Sequence, residues 1–163
     1  MTLIAIDGPA GAGKTTLAAV FFDEFSPNKT VALIHMDDLY DGWENALDER
    51  LTSRLTDIIE AYQAHSRFTI PTFNWATMRF DLSQTIEPSE ILIIEGVGAG
   101  QKVVRNADAI VYWLDIEPEV GLARVLQRDG YEIESQMHQW QLDQDAHFLR
   151  DATRANASHI LTS

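Results

Sequence analysis

Gly8-Pro9-Ala10-Gly11-Ala12-Gly13-Lys14-Thr15 spells G-x-x-x-x-G-K-T, a phosphate-binding P-loop, and its flanks supply the setting that this motif needs. Ahead of it, Leu3-Ile4-Ala5-Ile6 is a short apolar run expected to form a buried strand. Behind it, Leu17, Val20, Phe21 and Phe25 recur at helical spacing over residues 15–25. In such a strand–loop–helix unit, backbone N–H groups turn inward around phosphate oxygens and the helix N-terminus adds partial positive charge. The motif assigns triphosphate binding to Gly8, Ala10, Gly11, Ala12 and Gly13, and to Lys14, Thr15 and Thr16 after them. Lys14 is expected to reach the β- and γ-phosphates, and the Thr15 hydroxyl to ligate Mg²⁺. A glycine-rich turn that merely starts a helix leaves Lys14 unexplained, because a cation in the first helical turn opposes the helix dipole.

Outward from the loop, continuous apolar runs at residues 31–36, 91–95, 109–114 and, more weakly, 159–162 read as strands covered on both faces. Helical stretches fall between them, at residues 46–64, 100–106, 117–129 and 135–155. This alternation predicts an α/β fold, a three-layer doubly wound parallel sheet of the P-loop NTPase type, over one domain spanning residues 1–163. A small helical lid is expected near residues 128–138. Residues 67–88 carry Pro71, Phe73, Trp75 and Phe80 without a clear period and read as a long irregular segment.

Composition narrows the partners. Twelve basic residues against 25 acidic ones give a formal charge of −13, which disfavours nucleic acid. No apolar run approaches the roughly 20 residues of a membrane span, and the N-terminus reads as a strand rather than a leader. With no cysteine, disulfides and thiolate metal sites are excluded, which fits a cytoplasmic protein. The expected partner is a small-molecule phosphoryl acceptor, with no nucleic acid or membrane, and with homo-oligomerisation open.

Ligands of doubly wound sheets gather beyond the carboxyl ends of the strands, so residues there carry the chemistry. Asp37 follows the second strand and could receive or orient the proton of an acceptor hydroxyl. Asp38 and Asp41, beside it, read as a solvated, helix-initiating loop. Glu95 ends the next strand, where a buried carboxylate without a cation is costly, so a metal or substrate role is expected. Arg124 and Arg128 lie four apart on one helix face ahead of Asp129-Gly130, suiting a lid that closes on phosphates. Arg79 is a weaker candidate for touching substrate. The five histidines show no metal-ligand spacing, and Met137, Trp140 and Phe148 read as helix core.

In order, the P-loop, Asp37-x-x-Tyr40, Phe73-Asn74-Trp75, Ile94-Glu95-Gly96 and Arg124-Val125-Leu126-Gln127-Arg128-Asp129 resemble the uridine kinase family of P-loop nucleoside and metabolite kinases. The resemblance implies a five-stranded parallel sheet with a mobile lid, and Mg²⁺-dependent transfer of the ATP γ-phosphoryl to a nucleoside 5′-hydroxyl. It makes Asp37 the general base and Tyr40 its partner, matches Glu95 to the family's Glu-Gly glutamate, and makes Arg124 and Arg128 lid arginines. The family's nucleoside-contacting segment reads Tyr-Asp-x-x-x-His, where this chain has Phe73-Asn74-Trp75-Ala76-Thr77-Met78. Three hydrogen-bonding groups of that segment are thus replaced, and a site that has lost such groups loses discrimination.

Substrate contacts are therefore expected from Asp37, Tyr40, Phe73, Trp75, Arg79 and Glu95, catalysis from Lys14, Asp37, Arg124 and Arg128, and metal binding from Thr15 and Glu95. The leading reading is an ATP- and Mg²⁺-dependent kinase acting on a hydroxyl of a small metabolite, with a nucleoside among the candidates. The alternative is an ATP-binding regulatory module with little or no transfer. A GTPase is disfavoured because Asn28-Lys29-Thr30-Val31 lacks the aspartate of the guanine-reading Asn-Lys-x-Asp pattern.

Overall fold

A period of two along the central strands sorts apolar side chains onto opposite faces of one sheet. In β1 (Thr2–Asp7), Leu3 and Ala5 join one hydrophobic cluster while Ile4 and Ile6 join another. The same division separates Leu92 and Ile94 from Ile91 and Ile93 in the strand Ile91–Glu95. Each face needs a cover, and the helices supply it. The computed structural model describes residues 1–44 and 46–162.

In chain order, β1 leads through the P-loop into α1 (Lys14–Phe25), then β2 (Val31–His35) and α2 (Glu49–Gln63). Next come β3 (Phe68–Asn74), β4 (Arg79–Ile86), β5 (Ile91–Glu95), the short α3 (Lys102–Arg105) and β6 (Ile110–Asp115). The chain continues through α4 (Pro118–Asp129), α5 (Glu134–Asp151) and β7 (His159–Thr162). Five strands form a parallel sheet in the order β2-β5-β1-β6-β7. The helix α1 covers the Ile4/Ile6 face through Ala18, Leu17, Phe21 and Phe25, and α2, α4 and α5 pack on the other. The expected α/β sheet of parallel strands between helical layers is present. Among the described residues, no helix is long and apolar enough to cross a membrane.

Residues 67–88 are not irregular. They form an antiparallel hairpin, β3 with β4, running from Phe68↔Ile86 to Asn74↔Arg79 with a bulge between Thr72 and Asn74. Alternation exists in β3, where Ile70 and Thr72 are buried while Thr69 and Pro71 are exposed. A buried polar Thr72 in β3 and an exposed apolar Leu82, its register partner in β4, blur the pattern that a strand ordinarily shows. Gln84 Nε2 donates to Leu33 O (3.0 Å), tying the hairpin to β2. The stretch 128–138 contains a turn at Gly130, a 3-10 turn Tyr131–Ile133 and the start of α5.

Candidate functional site

Parallel pairing brings strand ends into one row. Ile6 registers with Glu95, Asp7 with Trp113 and His35 with Glu95, so the P-loop, Asp37 and Glu95 emerge side by side. Above that edge lies a cavity of about 590 Å³. Its floor and phosphate end are lined by Ala10, Gly11, Gly13, Lys14, Thr15 and Thr16, with Arg124 and Arg128 from α4 beside them. Asp37 and Glu95 face the middle, and Tyr40, Trp43, Trp75, Val97, Met137 and Trp140 enclose the far end.

Close packing shapes the loop. Gly11 has φ +83°, and a Cβ there would lie 2.3 Å from the Gly121 carbonyl oxygen of α4, so no side chain fits. Gly121 returns the constraint, since its own Cβ would sit 2.6 Å from Ala10 O. The Ala10 N–H donates to Gln144 Oε1 of α5 (3.0 Å), and Arg124 donates to Gly11 O (3.3 Å). Gln144 is itself buried. Ala12 packs into the core beneath the loop, and Gly8 lies against the Leu114 carbonyl outside the cavity.

Lys14 is buried, and its Nζ donates to Pro9 O (2.7 Å). Burial pulls its pKa down, opposed by the charges of Asp7, Glu95 and Asp37. Thr15 Oγ1 donates to Glu95 Oε1 (3.0 Å), and the same carboxylate oxygen meets His35 Nδ1 at 2.5 Å. The His35 pKa is raised, first by that hydrogen bond. Asp37 keeps substantial solvent exposure on the cavity wall, and its carboxyl is shifted upward, first by desolvation and then by the Glu95 charge. Tyr40 donates to Val97 O (2.7 Å), and burial holds its phenol well above its ordinary range, so it stays a neutral donor. A hydroxyl and a carboxylate within hydrogen-bonding distance are hard oxygen donors of the kind Mg²⁺ takes from protein before completing its shell with phosphate and water. Thr15 and Glu95 fit that ion.

Of the residues singled out from sequence, the structure brings together Lys14, Thr15, Asp37, Tyr40, Trp75, Glu95, Arg124 and Arg128. It does not bring Phe73 or Arg79 to the cavity. Phe73 is buried behind it, edge-on to Trp75 at 4.9 Å and to Phe80 at 5.1 Å. Arg79 is exposed on the hairpin, paired in register with Asn74. Asp41 is exposed and pairs with Arg50 (2.9 Å), in keeping with a solvated loop. Arg128 forks onto its own neighbour Asp129 at 2.8 and 2.7 Å.

Four features escaped the sequence reading. Asp7, fully buried, accepts the amides of Gly8 (2.7 Å), Gly98 (3.0 Å) and Gly100 (2.8 Å), joining the P-loop to the loop after β5. Its position one residue before the first P-loop glycine was the available signal. His35 and Gln144 gave none, because their partners lie 60 and 134 residues away. Met137 and Trp140 are core as expected, yet they also wall the cavity.

Residues 45–150 match the Phosphoribulokinase / Uridine kinase family. That match starts beyond the P-loop, so the loop and the matched region point the same way independently. A uridine kinase of Alkaliphilus metalliredigens is 28% identical over 140 residues, covering 77% of this chain and 67% of the relative. One from Lactobacillus johnsonii is 24% identical over 159 residues, covering 85% and 74%. Among solved structures, a protein described as a possible uridine kinase from Bacillus stearothermophilus superposes with a TM-score of 0.68 at 20% identity, covering 98% of this chain and 88% of that one. Shikimate kinase from Bacteroides thetaiotaomicron gives 0.56 at 17% identity, covering 99% and 85%. At these identities the structures establish the P-loop kinase fold alone. With the matched region spanning most of the chain and the P-loop standing before it, this chain belongs to the phosphoribulokinase/uridine kinase family.

Proposed function

We propose that the chain is an ATP- and Mg²⁺-dependent kinase that transfers the γ-phosphoryl group to a hydroxyl of a small metabolite. The observation that carries this reading is the placement of Asp37 in the same cavity as Lys14, Thr15 and Glu95. A module that only binds nucleotide needs the P-loop; it has no use for a carboxylate on the acceptor side. ATP supplies the phosphoryl group and Mg²⁺ the charge neutralisation that makes its transfer feasible.

The P-loop amides and Lys14 hold the phosphate oxygens, with the ammonium exchanging its Pro9 carbonyl partner for the triphosphate. Thr15 and Glu95 offer the metal its protein oxygens. Asp37, on the cavity wall beside the metal-binding pair, takes or orients the hydroxyl proton. Arg124 and Arg128 stand over the phosphate end, where they stabilise developing charge and help exclude water.

A coupled assay of ADP release, with Mg-ATP and a panel of hydroxylated acceptors, tests the reading through Asp37→Asn. The kinase account requires acceptor-dependent turnover to fall about 100-fold or more while ATP affinity stays close to wild type. Equal turnover in the two chains would remove Asp37 from the chemistry and leave a nucleotide-binding module.

A further inference from the structure

The acceptor end of the cavity has an unusual wall. From Phe80 the rings run edge to face through Phe73 (5.1 Å), Trp75 (4.9 Å), Trp43 (5.3 Å), Trp140 (6.1 Å) and Tyr40 (5.0 Å). Trp43 meets Trp75 at 63° and Trp140 at 84°, so the three indoles make a corner of steeply inclined planes. A flat base is best held between parallel rings, and neither ring packed against Trp43 is parallel to it. A corner of this shape instead surrounds a rounded group with π faces.

Two of the ring donors at this end are already engaged inside the protein. Trp75 Nε1 donates to Asp37 O (3.0 Å), and the Tyr40 hydroxyl to Val97 O. Val97 and Met137 add only apolar surface. Charge decides what the rounded group is. Among the described residues lining the cavity, the basic ones are Lys14, Arg124 and Arg128, all at the phosphate end. On the other side of the Trp43–Trp140 wall lies a second cavity of about 220 Å³, lined by Glu44, Asp48 and Asp143 against the single basic residue Arg150. The corner therefore sits between Asp37 and an acidic flank, in a chain of net charge −13. An anionic acceptor would be repelled there, while a cation gains from both the carboxylates and the ring quadrupoles. The same chemistry already occurs at the outer end of the ring series, where the Arg54 guanidinium lies 3.8 Å over Phe80.

We propose that the acceptor is an ammonium alcohol, with its cationic nitrogen in the corner of Trp43, Trp75 and Trp140 and its hydroxyl at Asp37. This rests on the kinase reading above, whose acceptor it names. Trp75 Nε1 donates to the Asp37 backbone carbonyl, so the corner and Asp37 are neighbours on the same cavity wall, and the proposal requires a short spacer between nitrogen and hydroxyl. In the transfer, Asp37 takes the hydroxyl proton and the alcohol oxygen forms the new bond to the γ-phosphorus. The bond to the β–γ bridging oxygen breaks, and its electron pair leaves with ADP. The product is a phosphate monoester that keeps its ammonium group.

Intrinsic tryptophan fluorescence of the wild-type chain reads the corner without requiring turnover. Choline, ethanolamine, the neutral carbon isostere of choline, and uridine are titrated, and the same compounds are then offered with Mg-ATP while ADP release is followed. Choline is expected to bind about tenfold or more tightly than its neutral isostere, the discrimination a desolvated aromatic corner gives a cation. Trp140→Leu should erase that difference; the isostere comparison on wild-type protein stands even where the variant folds poorly. Equal binding of choline and its isostere, or tighter binding of uridine than of either, overturns the proposal. Charge-selective binding without any ADP release supports the cationic corner and contradicts phosphoryl transfer to this class. ADP release with uridine alone contradicts the corner and leaves the kinase reading intact.

Discussion

Asp7 offers a pH-dependent stability that can be worked from its surroundings. Its carboxylate is fully buried and accepts three backbone N–H groups, yet desolvation outweighs them and raises its pKa from 3.8 to about 6. A native pKa above the unfolded one means that the folded chain holds a proton which the unfolded chain has released. Stability from this group is therefore complete below about pH 4 and lost as pH rises through about 6. A shift near two units corresponds to about 3 kcal/mol. Asp7→Asn removes the titration while keeping the shape. In urea unfolding at half-unit steps from pH 4 to 7.5, wild-type stability minus that of Asp7→Asn should fall by roughly 2 kcal/mol across the series, the remainder being lost below pH 4. Other carboxylates titrate in both chains and cancel. A flat difference, or one that rises with pH, would show that the three amides win over burial and refute the reasoning.

Three further perturbations probe the loop. Lys14→Ala should reduce ATP affinity and turnover together, by about 100-fold or more, measured by calorimetry and ADP release. Gly121→Ala places a Cβ 2.6 Å from Ala10 O, so it should cost about 1–3 kcal/mol in urea unfolding and raise the KM for ATP as the loop shifts. Gln144→Leu strands the Ala10 N–H and should cost about 1–3 kcal/mol, while Gln144→Glu, which keeps an acceptor oxygen, should recover most of it.

The parallel sheet was legible because its signals are local. Buried strands show as apolar runs such as residues 91–94, and the P-loop sets the chain direction between β1 and α1. The strand-end positions of Asp37 and Glu95 were legible for a related reason, since that position is a property of short sequence. The hairpin was hidden because Thr72 is buried while its register partner Leu82 is exposed, so burial and polarity disagree along it. Phe73 and Arg79 show the limit of position without geometry. A bulge between Thr72 and Asn74 turns Phe73 inward beneath Trp75, and Arg79 stays out on the turn. The aromatic corner could not be read at all, because Trp43, Trp75 and Trp140 come from three separate segments that meet only in the fold.

The central claim is that a phosphoryl group reaches an acceptor hydroxyl, and ³¹P NMR observes that event directly. Wild-type protein with Mg-ATP and the panel of ammonium alcohols and nucleosides should convert the γ-phosphate resonance into that of a phosphate monoester with matching growth of ADP. Asp37→Asn should leave the ATP spectrum nearly unchanged over the same interval. Inorganic phosphate as the only product, or intact ATP with every acceptor despite its binding, would contradict the account.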